Sequence, residues 1–385
     1  MLTKNFSFKD FKKQKKNKKL IKYLDEIITS NSEIIKSLQK NYKNSYKKKT
    51  VTKLKKFKDI RIFGMGGSSL GANAIYDFLK YKIKNDFYFL SNLNSINFFP
   101  KKKYLNLIIS KSGNTLETIV NSNIYIKKSD KNILISDKKN SNLRLIAKKL
   151  KAEVIDHNNY IGGRYSVLSE VGMIPAELMG LNNKKFKQFN NLIKNKSFFN
   201  SIISNVNNIL RLIKRKKFNS VILNYDETAD NFLKWYQQLV AESLGKKGKG
   251  IFPIISTMPK DNHSLMQLYL DGKQNNFFTF FYTKNINSKK ISFKKFKDSN
   301  YNFIKNKNIE DIRFAQFKAT QNVFKRKKIP FRTFIIGEKN EETLGELFIF
   351  FILETILLGK ALKIDPFDQP AVELIKKDTF KILKN

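Results

Sequence analysis

The chain has 385 residues, 41% hydrophobic and 13% aromatic, which is enough for a sizeable core in two or three domains and excludes a disordered chain. With no cysteine, and with His157 and His263 as its two imidazoles, it excludes a disulfide framework, a thiolate metal site and a histidine-rich metal centre. A formal net charge of +43 raises nucleic acid or an acidic membrane as partners. The lysines, however, run along the whole chain, and arginine, the better reader of bases and phosphates, is scarce. Such a balance fits composition bias, so no nucleic-acid partner is expected, although a positive field can still speed the arrival of a phosphorylated anion.

In chain order, residues 1–58 predict an N-terminal helical segment, with apolar positions Leu20, Tyr23, Leu24, Ile27 and Ile28 at helical spacing. Met1 to Leu20 is studded with lysine and has no apolar stretch of the export-signal kind. From residue 59 short apolar strands alternate with helices. Ile60 to Phe63 leads into a glycine loop and a helix from about Ala72 to Lys80, and Phe87 to Leu90 is a short strand. Leu105 to Ile109 leads into a second polar loop and a helix from Leu116 to about Lys127. Ile133 to Ile135, a helix near Leu143 to Leu150, and Ala152 to Ile155 follow. The scheme then restarts with a helix over Lys196 to Lys216, a strand at Ser220 to Leu223 and a helix from Asp230 to Leu244. Ile251 to Ile255, Phe277 to Tyr282 and Phe334 to Gly337 read as further strands, and Asn285 to Asn308 as a surface excursion. The apolar run Leu347 to Leu353 stops at Glu354, well short of the roughly 20 residues needed to span a bilayer. It predicts a buried helix, and the chain is expected to be cytoplasmic and away from membranes. Alternation of this kind argues for parallel strands with crossover helices in two α/β units, 59–180 and 205–365, followed by a C-terminal motif and helix over 366–385.

Several polar clusters stand at loops where chemistry is expected. Gly64-Met65-Gly66-Gly67-Ser68-Ser69-Leu70-Gly71 and Ser110-Lys111-Ser112-Gly113-Asn114-Thr115 both follow strands and precede helices. Ligands of open parallel sheets bind at such places, where glycines admit a close backbone approach and a helix start offers free N–H groups. Hydroxyls of Ser68, Ser110, Ser112 and Thr115 and the amine of Lys111 suit a phosphate monoester, and Asn114 with Glu117 has helix-capping spacing. The GxxxxGK[ST] spacing of a nucleotide P-loop is absent. Gly162-Gly163-Arg164-Tyr165-Ser166 places an always-charged guanidinium beside glycines. Glu242 stands near the end of an apolar-faced helix before Gly245, where the helix dipole disfavours a charged carboxylate. Read by itself, Glu242 fits better a solvated glutamate neutralised by Lys246 and Lys247.

Together with His263 and the run Phe367-Asp368-Gln369-Pro370-Ala371-Val372-Glu373-Leu374-Ile375-Lys376, these clusters closely resemble the glucose-6-phosphate isomerase family, in order, from about residue 60 to 376. The resemblance implies an α/β fold of two SIS-type (sugar-isomerase) parallel-sheet α/β/α domains, with an N-terminal helical segment and a C-terminal helix. It implies reversible conversion of glucose 6-phosphate to fructose 6-phosphate through a cis-enediol, with no metal and no cofactor. By the same resemblance Glu242 is the base, Arg164 steadies the enediolate, and His263 and Lys376 serve ring opening. Gly67, Ser68, Ser110, Lys111, Ser112, Thr115, Gly163 and Gln369 bind substrate. His263 reaches the site of a neighbouring subunit in the family, which implies a homodimer. Three positions depart from the pattern: Glu170 where a small residue is commoner, Asp365 where asparagine is, and Ala371 where glycine is. His157 has no counterpart role and reads as a loop residue. Two alternatives share these motifs: a dual phosphoglucose/phosphomannose isomerase and a sugar-phosphate-binding SIS protein without catalysis. The latter needs only the phosphate loops.

Overall fold

A computed structural model describes residues 2–12, 14, 17–93, 99–100, 102–284, 288–291 and 302–384. Most of the expected surface excursion, Asn285 to Asn308, lies outside the described residues. Among these described residues ten strands form two five-stranded sheets. The first holds β2 (Asp59–Phe63), β3 (Asp86–Leu90), β4 (Leu105–Ile109), β5 (Lys131–Ser136) and β6 (Glu153–Asp156), all parallel, in the order β3-β2-β4-β5-β6. The second holds β1 (Phe6–Lys9), β7 (Asn219–Asn224), β8 (Phe252–Thr257), β9 (Asn276–Thr283) and β10 (Phe331–Ile336), in the order β1-β10-β9-β7-β8.

The sequence explains the central strands directly. β4 reads Leu-Asn-Leu-Ile-Ile and β9 reads Asn-Phe-Phe-Thr-Phe-Phe-Tyr-Thr, and every residue of both is buried. Near-continuous apolar runs are what parallel strands covered on both faces require. The N-terminal segment departs from the expected all-helical character. Phe6–Lys9 is a strand that pairs antiparallel with β10, so the start of the chain closes an edge of the second sheet. Its anchors are Phe6, fully buried, and Phe8, whose ring lies 4.8 Å from that of Phe334.

The helix Glu341–Leu362 is buried over nearly its whole length, as the apolar run predicted. Glu354, the charge that interrupts the run, is paired with the fully buried Arg332 of β10. That guanidinium also donates to Thr279 and Asn205, each at 2.9 Å, so strand, neighbouring strand and two helices share one satisfied cation. A buried pair of this kind is costly to break from one side only.

Among the described residues, Lys187 is the buried cation without a carboxylate in contact. Its ammonium donates to the backbone carbonyls of Leu168 and Ser37 and lies 4.7 Å from the centre of the Tyr42 ring. Burial pushes the amine down to about 7, partly countered by the charge of Glu170. The unfolded chain holds this proton up to about pH 10.5, whereas the folded chain releases it from about pH 7. Between those values the unfolded state binds more protons, so stability rises with pH. Compared with Lys187→Met, the wild-type protein should therefore gain about 1–3 kcal/mol on going from pH 7 to pH 9. Urea unfolding of both proteins at the two pH values measures it, and a difference independent of pH means that Lys187 stays charged in the fold.

Candidate active site

The two phosphate-type loops stand side by side because β2 and β4 are neighbours. The chain leaves β2 for β3 on one side and returns to β4 on the other, which opens a crevice at the carboxyl ends of both strands. Gly64 to Ser69 leaves β2 and runs into the helix Leu70–Phe78, while Ser110 to Thr115 leaves β4 and runs into the helix Leu116–Tyr125. In the second loop Ser110 and Thr115 hydroxyls lie 2.9 Å apart, and Ser110 accepts the Gly113 N–H at 3.1 Å. Ser112 is exposed and accepts the N–H of Asn114 at 3.2 Å. Gly113 sits at φ +66, a left-handed turn that a side chain would strain, with Ser141 Oγ where its Cβ would be. Thr115, not Asn114, stands at the N-cap position, but its side chain makes no capping hydrogen bond, and the Asn114 side chain accepts the Asn142 N–H at 3.0 Å instead. The positive end of that helix is left open to an anion.

Lys111 reaches the same crevice. Burial pushes its amine below its ordinary value, Asp137 opposes this, and the charges of Lys139 and Arg164 push further down. Lys111, Lys139 and Arg164 set against Asp137 and Glu242 leave an excess of positive charge, which favours an incoming anion. Beside it opens a cavity of about 610 Å³ lined in part by Lys111, Gly162, Tyr160, Tyr165 and Phe367.

The first loop is packed directly on the arginine loop. A Cβ on Gly67 would lie 2.1 Å from the carbonyl carbon of Gly163 and 2.5 Å from the backbone nitrogen of Arg164, so only glycine permits this approach. Gly163 begins a 3-10 turn, Gly163–Leu168, in which Arg164, Tyr165 and Ser166 are buried. Ser166 closes the turn by donating to the Gly163 carbonyl at 2.7 Å.

Arg164 is the hub. Nη1 donates to Glu242 at 3.0 Å and to Gln369, Nε to Ser243 at 2.9 Å, and Nη2 to the carbonyls of Pro366 and Asp368 at 2.8 and 3.0 Å. Glu242 is part-buried near the end of the helix Asp230–Leu244, which has the bounds expected from sequence. Its other oxygen accepts from Gln238, one turn back, at 2.7 Å. The result is a carboxylate fixed at both oxygens beside a fully enclosed guanidinium.

Of the expected site residues, Gly67, Gly163, Arg164, Glu242 and Gln369 are brought into contact, with Lys111 close enough to feel Arg164. Ser68 is part-buried in the turn Gly66–Ser68 beside Gly67. His263 and Lys376 stand apart. His263 is exposed at the end of the turn Lys260–His263. Lys376 is exposed on the helix Val372–Lys384, with its ammonium 2.6 Å from Glu373. Three partners were missed from sequence. Gln238 is separated from Glu242 by four residues on a helix, a spacing that puts them on one face and was readable. Ser243 and the Pro366 carbonyl, both of which also bond the Tyr165 hydroxyl, gave no such signal.

A model of phosphoglucose isomerase matches residues 25–385. The chain belongs to the phosphoglucose isomerase family. It is 32% identical to a glucose-6-phosphate isomerase of Methanocaldococcus jannaschii over 350 residues, 85% of each chain. It is also 32% identical to one of Mycoplasmopsis pulmonis, covering 84% of this chain and 82% of that one. A solved glucose-6-phosphate isomerase structure from Chlamydia trachomatis shares the fold with a TM-score of 0.76 at 16% identity, covering 99% of this chain and 89% of that one. The chain is thus an aldose–ketose isomerase of the SIS-type α/β fold, interconverting glucose 6-phosphate and fructose 6-phosphate. Among the described residues no group of side chains suits a metal ion, and no helix is long and apolar enough to cross a membrane.

Proposed function

We propose that the reaction runs at the Arg164–Glu242 pair, in a cytoplasmic homodimer whose two domains, 59–180 and 205–365, share the site, with no nucleic-acid partner. The observation that carries this reading is a carboxylate held 3.0 Å from a buried guanidinium beside two glycine-lined loops. Substrate phosphate docks on Ser68, Ser110, Ser112 and Thr115 with Lys111, against the open helix start. Glu242 takes the C2 proton of the opened sugar and returns it to C1, a transfer suited to a fixed carboxylate. The positive charge of Arg164, whose five N–H groups are already held by Glu242, Gln369, Ser243 and two carbonyls, lowers the energy of the developing cis-enediolate without having to reorient. Gln369 orders the substrate beside Arg164.

Ring opening falls to His263 and Lys376, and their exposure supports a role completed by assembly. His263 faces outward, free to enter a neighbouring protomer's site. The helix that carries Lys376 leaves Leu374, Ile375, Ile382 and Leu383 each at least 65% exposed, an apolar face of the kind that a second protomer or closure over substrate would cover. A subunit-exchange experiment tests this. Glu242→Gln and His263→Ala proteins, each inactive alone, are mixed and allowed to exchange. In a mixed dimer one site carries both lesions and the other neither, so that dimer should recover about half the wild-type capacity. Continued inactivity after exchange has been demonstrated places His263 in its own chain's site and ends the shared-site reading.

A further inference from the structure

One buried histidine–glutamate pair flanks the loop that carries Arg164 and takes no part in the chemistry proposed above. His157 and Glu170 have side chains only 2% and 0% exposed. Nδ1 of His157 lies 2.5 Å from the Glu170 carboxylate, and Nε2 lies 3.1 Å from the Ile161 carbonyl. Both neighbours are acceptors, so both contacts are hydrogen bonds only when each ring nitrogen carries a proton. The same carboxylate oxygen accepts the Asn158 N–H at 3.1 Å, and the other oxygen accepts the Tyr42 hydroxyl at 3.3 Å. Burial alone would raise the Glu170 carboxyl, but the hydrogen bond and charge of His157 outweigh it and hold it below its ordinary value.

These contacts brace one particular loop. His157 follows β6, tied by its N–H to the Ser136 carbonyl at 2.7 Å, and Glu170 begins the helix Glu170–Leu178. Between them the chain runs through Asn158–Gly162 and on to Gly163 and Arg164. His157 grips that loop at Ile161, two residues before Gly163, and Glu170 grips it at Asn158. Gly163 also packs against Gly67, where the backbone of Gly163 leaves no room for a Cβ on Gly67. The loop is therefore braced by the pair and stopped against Gly67. A shift of a few tenths of an ångström would misdirect Arg164, which orients both Glu242 and Gln369.

We propose that His157 and Glu170 are positioning residues that set the Gly163–Arg164 backbone for catalysis. This accounts for the departure at 170 as half of a pair whose other half is the histidine without a role. The inference rests on the proposed function of Arg164. Steady-state kinetics on glucose 6-phosphate separate the two. His157→Phe fills the volume and removes both hydrogen bonds, and should lower kcat about 10–100-fold, the scale of a sub-ångström to ångström misplacement. KM should stay within about threefold, because the phosphate loops are untouched. Glu170→Gln, whose amide oxygen can still accept from His157 and Asn158, should recover most of the rate. Should His157→Phe fail to fold, His157→Gln, which can reach Glu170 but not span to Ile161 as well, serves for the same comparison. Wild-type kcat in a folded His157 variant, with only a lowered Tm, overturns the positioning inference while Arg164→Lys remains impaired. Wild-type kcat in Arg164→Lys overturns the role of Arg164 and the positioning inference with it.

Discussion

Glu242→Gln is expected to bind sugar phosphate nearly as the wild type does while losing about 10²–10⁴-fold in kcat, the usual contribution of one proton-transfer group. The local hydrogen bonding explains why binding and fold should survive. The new amide oxygen can still accept from Arg164, replacing the 3.0 Å contact of the carboxylate. On the other side the new NH₂ would face the Gln238 NH₂, a clash of donors. The Gln238 carbonyl oxygen, however, is buried and without a partner among the described residues, so rotating the Gln238 amide turns the clash into a bond. What the amide cannot do is accept a proton from carbon. Equilibrium binding of a substrate analogue alongside kcat measures the split. Near-normal turnover, or a binding loss as large as the rate loss, would remove Glu242 from the role of base.

The contrast between Glu242 and its surroundings also shows what the sequence could and could not convey. Strands β4 and β9 were legible because a strand buried on both faces must be apolar throughout, and the helix Asp230–Leu244 because its apolar face repeats at helical spacing. Phe6–Lys9 was not, since four alternating residues amid lysines are too short to outweigh the helical pattern that follows, and what makes them a strand is a partner about 325 residues away. The two loops after β2 and β4 were legible as glycine and hydroxyl clusters after strands. Their mutual packing was not, since nothing local states that Gly67 must touch Gly163. His157 and Glu170 illustrate the same limit at short range. Thirteen residues apart, they meet only because the intervening loop doubles back, and each read singly as an oddity. His263 and Lys376 were identified by motif alone, and both lie on exposed surface in the single chain, where a motif cannot say what will cover them.

Gly67→Ala is the sharpest test of that loop-on-loop contact. The added Cβ would lie 2.1 Å from the Gly163 carbonyl carbon, 2.4 Å from its oxygen and 2.5 Å from the Arg164 nitrogen. All three are backbone atoms, so no side chain can swing aside, and relief requires one loop to move by about an ångström from its packed position. Overpacking of this kind typically costs about 1–3 kcal/mol of stability. The catalytic cost should be larger in proportion, because the atoms displaced are those that aim Arg164 at Glu242, and an ångström of misplacement is worth about 10²-fold in rate. Gly162→Ala supplies the control one residue from the contact. Its Cβ would meet nothing nearer than a Tyr165 ring carbon at 3.8 Å, and its backbone, at φ −67, accepts any side chain. That variant should keep a kcat close to the wild-type value. Thermal unfolding and steady-state kinetics on both proteins separate the effects of fold and chemistry. If Gly67→Ala turned over as fast as Gly162→Ala, the contact between the two glycine loops would not hold in the working enzyme. Arg164 would then be oriented by its own five acceptors rather than by the loop that carries it.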